Sequence, residues 1–246
     1  MNIIPAIDII NGKCVRLQQG DYNKVTTYLA DPLDIALQYR DHGLQYLHLV
    51  DLDGAKNGKV TNHRVLEQIA RATDLIIDFG GGIRTDADIQ LAFDSGASKI
   101  TLGSIAIKKP ATVITWQKKY GSDKLILGAD CNNGKIAING WEETTSIGIN
   151  SFIQGYKEYG LTQVMCTDIA CDGMLAGASA ELYKAILAEN IDIQLIASGG
   201  IRSIDDVNTL KQIGCDGAII GKAIYEGFIQ LNELRNYVEE TNNTLS

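Results

Sequence analysis

Short, continuously apolar runs recur along the chain at 2–7, 46–50, 75–79, 99–102, 125–129, 163–166, 193–197 and 217–220. Each is followed by a stretch with helical spacing of apolar residues. Runs that are apolar throughout, rather than alternating, predict parallel strands covered on the outside by helices. Asp31-Pro32 opens the first helix as cap and first-turn proline, its apolar face being Ile35, Ala36 and Tyr39, and Gly43 stops it. Thr61 or Asn62 caps the second, which carries Val65, Leu66 and Ile69 and runs to about Arg71. Thr85 caps the third, with Asp88 in the capping-box position. Further helices are predicted over about 110–120, 147–158, 179–187, after the cap Ser203, and over about 230–240. The polar, glycine-bearing segment 18–31 reads as a surface loop, and Thr241 to Ser246 as a frayed end.

Eight strand–helix units in 246 residues, without a linker or a shift in composition, predict an α/β fold of the (β/α)8 TIM-barrel type spanning 1–246 as one domain. An open doubly wound sheet is the structural rival. An internal repeat weighs against it. Gly81-Gly82-Ile83-Arg84-Thr85 returns as Gly199-Gly200-Ile201-Arg202-Ser203, and Gly96 and Gly103 return as Gly214 and Gly221. Asp8, Asn11, Gly12 and Lys13 return as Asp130, Asn133, Gly134 and Lys135; Asp51 and Asp53-Gly54 correspond to Asp168 and Asp172-Gly173. Two half-barrels, about 1–122 and 123–246, close naturally into a ring.

Composition changes this picture little. The formal net charge of −8 argues against nucleic acid or an anionic membrane surface as partner, while leaving room for a local anion site. No apolar stretch is long enough to span a membrane, and the N-terminus lacks the basic start of a signal peptide, so a cytoplasmic protein is expected. Cys14, Cys131, Cys166, Cys171 and Cys215 are odd in number and scattered, which fits neither a disulfide framework nor a zinc site. His48, inside Tyr46-Leu47-His48-Leu49-Val50, reads as a packed strand histidine. No metal is expected, because no histidines stand at ligand spacing near the aspartates, and the chain is expected to act as a monomer.

Barrel active sites lie at the C-terminal ends of the strands. Asp8 and Asp130 end the first and fifth strands, which face each other across an eight-strand ring. Two facing carboxylates can divide base and acid roles, as a sugar isomerisation requires. One aspartate alone would read as a cap or turn residue; a repeated pair before the same Asn-Gly-Lys turn reads as chemistry. The glycine turns at Gly81-Gly82 with Gly103-Ser104, and at Gly199-Gly200 with Gly221-Lys222, are candidate phosphate sites at opposite ends of the same cleft. Alone, each would be only a tight turn. The predicted ligand is a bisphosphate with its reactive centre between the aspartates. Lys222 adds a charge that its counterpart Ser104 lacks, so the two anchors need not be equal. Thr167 is expected to point into the cleft from the sixth strand, and Asp172-Gly173 lie in the loop beyond it. Trp141, in a polar loop, either stacks on a flat heterocycle or folds back on the barrel rim.

The stretches IIPAIDIINGKCVRLQQGDY, YLHLVDLDGAKNG, GGGIRT, LGSIAIKKP, the NGW loop and GGIRS with AIIGKAI resemble the bacterial ProFAR isomerases of histidine biosynthesis, from residue 1 to about 240. That resemblance implies a duplicated half-barrel, an Amadori rearrangement of an aminoaldose to an aminoketose, a bisphosphate substrate, and neither metal nor organic cofactor. It implies Asp8 as proton acceptor, Asp130 as proton donor, Thr167 as the strand-six threonine and Trp141 as the loop tryptophan. Lys222 stands where arginine is expected and Phe79 where valine is common. The alternatives are the sister cyclase subunit of imidazole-glycerol-phosphate synthase, a bifunctional isomerase also acting on phosphoribosylanthranilate, and a non-catalytic phosphosugar-binding barrel.

Overall fold

The structure, a computed structural model, describes residues 1–243. Its first half runs β1 (Asn2–Ile10), β2 (Lys13–Gln18), β3 (Asp21–Thr27), α1 (Pro32–Asp41), β4 (Tyr46–Asp51), α2 (Leu52–Asn57), α3 (His63–Ala72), β5 (Ile76–Gly80), α4 (Asp86–Asp94), β6 (Lys99–Leu102), α5 (Ser104–Lys108) and α6 (Pro110–Tyr120). The second half runs β7 (Leu125–Gly128), β8 (Cys131–Asn132), β9 (Lys135–Ile138), β10 (Glu143–Gly148), α7 (Ile149–Lys157), β11 (Gln163–Thr167), α8 (Ala180–Glu189), β12 (Gln194–Ser198), α9 (Ile204–Ile213), β13 (Gly217–Ile220), α10 (Lys222–Tyr225) and α11 (Leu231–Asn243). Of the end expected to fray, 241–243 continue α11, and 244–246 lie outside the described residues.

Strands β1, β4, β5, β6, β7, β11, β12 and β13 pair in that order, all parallel, and β13 pairs with β1 to close the ring. The protein is a (β/α)8 TIM barrel. Pro5 is the last residue of β1 to face β13, opposite Ile220, and from Ala6 onward β1 is in register with β4. The proline therefore lies at the handover between two ladders.

Alternation along each strand sorts the residues. Leu47, Leu49, Ile77, Phe79, Ile100 and Leu102 are buried under the helices. Ile4, Ala6, Ile126, Met165 and Ile219 form a separate small cluster inside the ring. Between them, β4, β5 and β6 turn His48, Asp78 and Thr101 inward, all buried. Buried polar groups need partners, and Asp78 Oδ1 accepts from Thr101 Oγ1 at 2.8 Å and lies 2.6 Å from His48 Nδ1.

Two stretches differ from the sequence reading. Segment 18–31 is mostly strand, not loop: β3 pairs antiparallel with β2, Val15 opposite Thr27 and Leu17 opposite Val25. Most of β3 is exposed, so no apolar periodicity marks it. Likewise the loop around Trp141 is the tip of a hairpin, β9 against β10, with Ile138 opposite Glu143. That hairpin also delays the start of α7 to Ile149.

The repeat is visible in the backbone. Thr85 and Ser203 each complete a capping box, with Asp88 and Asp206 reaching back. Gly81 and Gly199 have φ of +99° and +97°. A Cβ at Gly81 would overlap the carbonyl oxygen of Asp51, and one at Gly199 would lie 2.8 Å from that of Asp168. Both turns thus need glycine for the same two reasons: a left-handed backbone and a neighbouring carbonyl.

Equal caps should have equal worth. Thr85→Ala and Ser203→Ala are each expected to lower stability by about 1 kcal/mol. The readout is a shifted urea midpoint at unchanged denaturant slope; a loss at one site only would show that the halves are not equivalent.

Candidate functional site

At the C-terminal mouth of the barrel lies a cavity of about 500 Å³. Asp8, Gly81, Gly82, Gly103, Ser104, Asp130, Trp141, Thr167, Asp172, Gly173, Gly199, Gly200, Gly221 and Lys222 all line it, so one space gathers the candidate catalytic and phosphate-binding positions.

The walls are held by carboxylates that do not face the cavity. Asp51, fully buried, ends β4 and accepts from the amides of Gly54, Thr61 and Asn62 and from Asn62 Nδ2, at 2.6–2.8 Å. This explains why Asn62 precedes α3 without capping it. Its Oδ1 also accepts from the amide of Gly12, and Asp53 accepts from the amide of Asn11 at 2.6 Å, which ties the β1–β2 turn to the loop after β4. Asp168 repeats the device with fewer bonds, accepting from the amide of Ala170 and from Ser179 Oγ.

The hairpins roof the cavity. Tyr22 Oη donates to the carbonyl of Leu52 at 2.9 Å, and Gln19 Nε2 donates to that of Ala170 at 3.0 Å. Trp141 has φ of +71°, and a Cβ at Gly20 would lie 2.6 Å from its indole ring. Its Nε1 donates to Asp130 Oδ2 at 2.8 Å. The indole thus lies at the cavity wall, fixed to a carboxyl that also lines it. The amide of Asn139 donates to Ser104 Oγ at 2.8 Å, so the serine after Gly103 also anchors the hairpin.

Arg16 escaped the sequence reading. Its Nη1 lies 2.6 Å from Asp8 Oδ2, Nη2 donates to the carbonyl of Ala6, and its guanidinium lies against Gly221. A charged residue inside the alternation Cys14-Val15-Arg16-Leu17 was the available signal. Arg84, Lys108 and Lys109 line the cavity near the first pair of glycine turns. Lys222 lines it at the second, with Nζ donating to the carbonyl of Gly173 at 2.8 Å. His48, expected as a packed strand residue, is buried in β4 and also borders the cavity floor.

Burial raises the proton affinity of Asp130 above that of an ordinary carboxylate, opposed by hydrogen bonding from Trp141 and Thr167 and by the charge of His48. Asp130 Oδ1 is buried without a hydrogen-bond partner. Asp172 is pushed up to about 7, first by burial, with Arg16 opposing and the charges of Asp8 and Asp130 adding to the rise. Among the described residues no cluster of His, Cys, Asp or Glu is arranged to hold a metal ion. All five cysteines are free thiols, four of them buried. Among the described residues no helix is long and apolar enough to cross a membrane.

The fold and site define a (β/α)8 barrel with an internal twofold repeat, whose catalytic-face cavity is lined by carboxylates from opposed strands and by two sets of glycine turns. The chain belongs to the histidine biosynthesis protein family, whose model matches residues 2–230. It is 56% identical, over 97% of its length and 99% of the relative's, to the 1-(5-phosphoribosyl)-5-((5-phosphoribosylamino)methylideneamino) imidazole-4-carboxamide isomerase of Flavobacterium psychrophilum. Proteins of the same name from Flavobacterium johnsoniae and Bacteroides thetaiotaomicron are 54% and 49% identical, over 97% of this chain and 99% and 100% of their own.

The raised Asp172 has a consequence for stability. A carboxyl whose folded value lies above its unfolded one favours the folded state most at low pH, and that contribution is lost as pH rises through about 7. Asp172→Asn should therefore be more stable than the parent at pH 8, by on the order of 1–2 kcal/mol after solvent screening. The gap should close towards pH 4, and melting curves that run parallel at all pH values would contradict it.

Proposed function

We propose that this protein isomerises the aminoaldose ProFAR to the aminoketose PRFAR in histidine biosynthesis, by acid–base catalysis within the barrel cavity. One observation carries the reading: Asp8 on β1 and Asp130 after β7 line the same cavity from opposed strands, between two sets of glycine turns. Near-full-length similarity to three isomerases of that name supports it.

The substrate's two phosphates rest at the Gly81-Gly82/Gly103-Ser104 and Gly199-Gly200/Gly221-Lys222 turns, with Arg84 and Lys108 serving the first and Lys222 the second. A proton delivered to the ribose ring oxygen opens the ring and leaves a protonated imine at the anomeric carbon. Asp8, oriented by Arg16, takes the proton from the neighbouring carbon, and the enolamine that forms tautomerises to the ketose. Thr167 and Trp141 orient Asp130, and the indole stacks on the imidazole. Only protons move, so the reaction requires no redox cofactor. The protein acts as a cytoplasmic monomer.

Asp130, with its raised proton affinity, is the assigned donor. A second reading rests on Asp172: at about 7 it holds a proton near neutral pH, where a general acid works best. The two separate by pH dependence, because the variant lacking the donor loses the alkaline limb of the rate profile.

Asp8→Asn and Asp130→Asn should each lower the turnover of ProFAR at least about a hundredfold, while circular dichroism and melting temperature stay near the parent's. The check is a spectrophotometric assay with ProFAR, run beside phosphoribosylanthranilate to expose a second activity. Near-parental turnover in either variant would sink the acid–base assignment.

A substrate fragment carrying one phosphate should bind roughly a hundredfold more weakly than the double-ended substrate, since two charge-assisted hydrogen bonds are lost with the second. Calorimetric titration measures this. Equal affinities would remove the two-anchor geometry.

A further inference from the structure

The barrel interior contains a buried histidine–aspartate contact that the proposed mechanism does not use. His48 and Asp78 occupy register-matched positions on β4 and β5, and Nδ1 lies 2.6 Å from Oδ1 with both side chains buried. Thr101 Oγ1, from β6, donates to the same carboxylate oxygen at 2.8 Å. On one side His48 borders the catalytic cavity; on the other, Asp78 and Lys99 border a second pocket of about 100 Å³ at the N-terminal end of the barrel.

We propose that Asp78 is a positioning residue for the isomerase site: it holds His48 as an imidazolium on the cavity floor, a fixed cation beneath the carboxylates of the opposed strands. The proposal rests on the isomerase reading for its kinetic consequence, though not for the state of the histidine.

The groups that face the ring support it. Burial would strip the ring of its proton, but it is outweighed by the charge and hydrogen bond of Asp78 on β5, with the charges of Asp8 on β1 and Asp130 at the end of β7 adding to them. Lys99 of β6 lies near Asp78 on the side away from the histidine. The influence is reciprocal: a charged His48 opposes the protonation of Asp130 that burial promotes. With Nδ1 committed to Asp78, the second ring nitrogen is left to present its N–H to the cavity. Arg16 is bound to Asp8, so His48 is the cation placed to balance Asp130.

The test is an NMR titration of the ligand-free protein, reading the His48 ring nitrogens and the Asp130 side-chain carboxyl carbon, in the parent and in Asp78→Asn. The parent is expected to keep His48 doubly protonated through pH 7. In Asp78→Asn its deprotonation should move at least about one pH unit lower, and the Asp130 midpoint should move upward. With ProFAR, Asp78→Asn should lose at least about tenfold in kcat while KM stays within about threefold, and its pH–rate profile should be displaced rather than merely scaled. A neutral His48 in the parent at pH 7, or superimposable titrations in the two proteins, would overturn the proposal. The parent measurement alone suffices for this if the variant does not fold. A parent inactive on ProFAR but with a charged His48 would defeat the isomerase reading and leave the ion pair standing.

Discussion

The pairing of β13 with β1 is the contact on which the rest of the molecule depends. A parallel sheet of this length left open would expose two edges, and closure removes both. Closure also staggers the ring, because β1 meets β13 through Asn2 to Pro5 and β4 through Ala6 to Ile9. The stagger lifts Asp8 above the apolar cluster of Ile4, Ala6, Ile126, Met165 and Ile219. From that level upward the inward positions are free to be polar, and the cavity begins.

The same constraint explains what could be read in the sequence and what could not. Strands of the ring lie between helices and a filled interior, so most of their positions are buried and their runs are apolar. The glycine turns were legible because Gly81 and Gly199 occupy backbone space that other residues enter only with strain. The hairpins carry no such mark. β3 has solvent on both sides and β9 is only four residues long, so neither leaves a periodic pattern. Arg16 was hidden for a related reason: its place in the site follows from β2 folding back antiparallel on β1, with Asp8 opposite Val15, a pairing that periodicity does not announce. Asp78 was hidden because an acidic residue in Ile76-Ile77-Asp78-Phe79 gives no sign of which buried base it meets.

The repeat preserves the backbone and releases the side chains. Gly96 and Gly214, at φ of +100° and +101°, end equivalent turns after α4 and α9. Yet Arg84 lines the cavity, while its counterpart Arg202 lies over the ring of Phe228, 5.7 Å from its centre. Ser104 anchors a hairpin, whereas Lys222 reaches the loop of Gly173. Asp51 gathers four donors and Asp168 two. The two ends of the cavity are thus alike in shape and unlike in charge. That suits a ligand whose ends both carry phosphate but whose flanking groups differ.

An acidic protein with three carboxyls in one cavity must manage its own field. Asp8, Asp130 and Asp172 share one cavity, and charged together they would repel both one another and the ligand. Each is handled differently. Asp8 is matched by a guanidinium at 2.6 Å. Asp172 is pushed up to about 7 by burial, so near neutral pH part of its population is uncharged. Asp130 is stabilised on one oxygen by an indole N–H and from below by the His48–Asp78 pair. Arg84 and Lys108 line one end of the cavity and Lys222 the other, beside the loop that carries Asp172. On the isomerase reading, cations at the two ends serve the phosphates, while burial between them leaves a carboxyl with a proton to give.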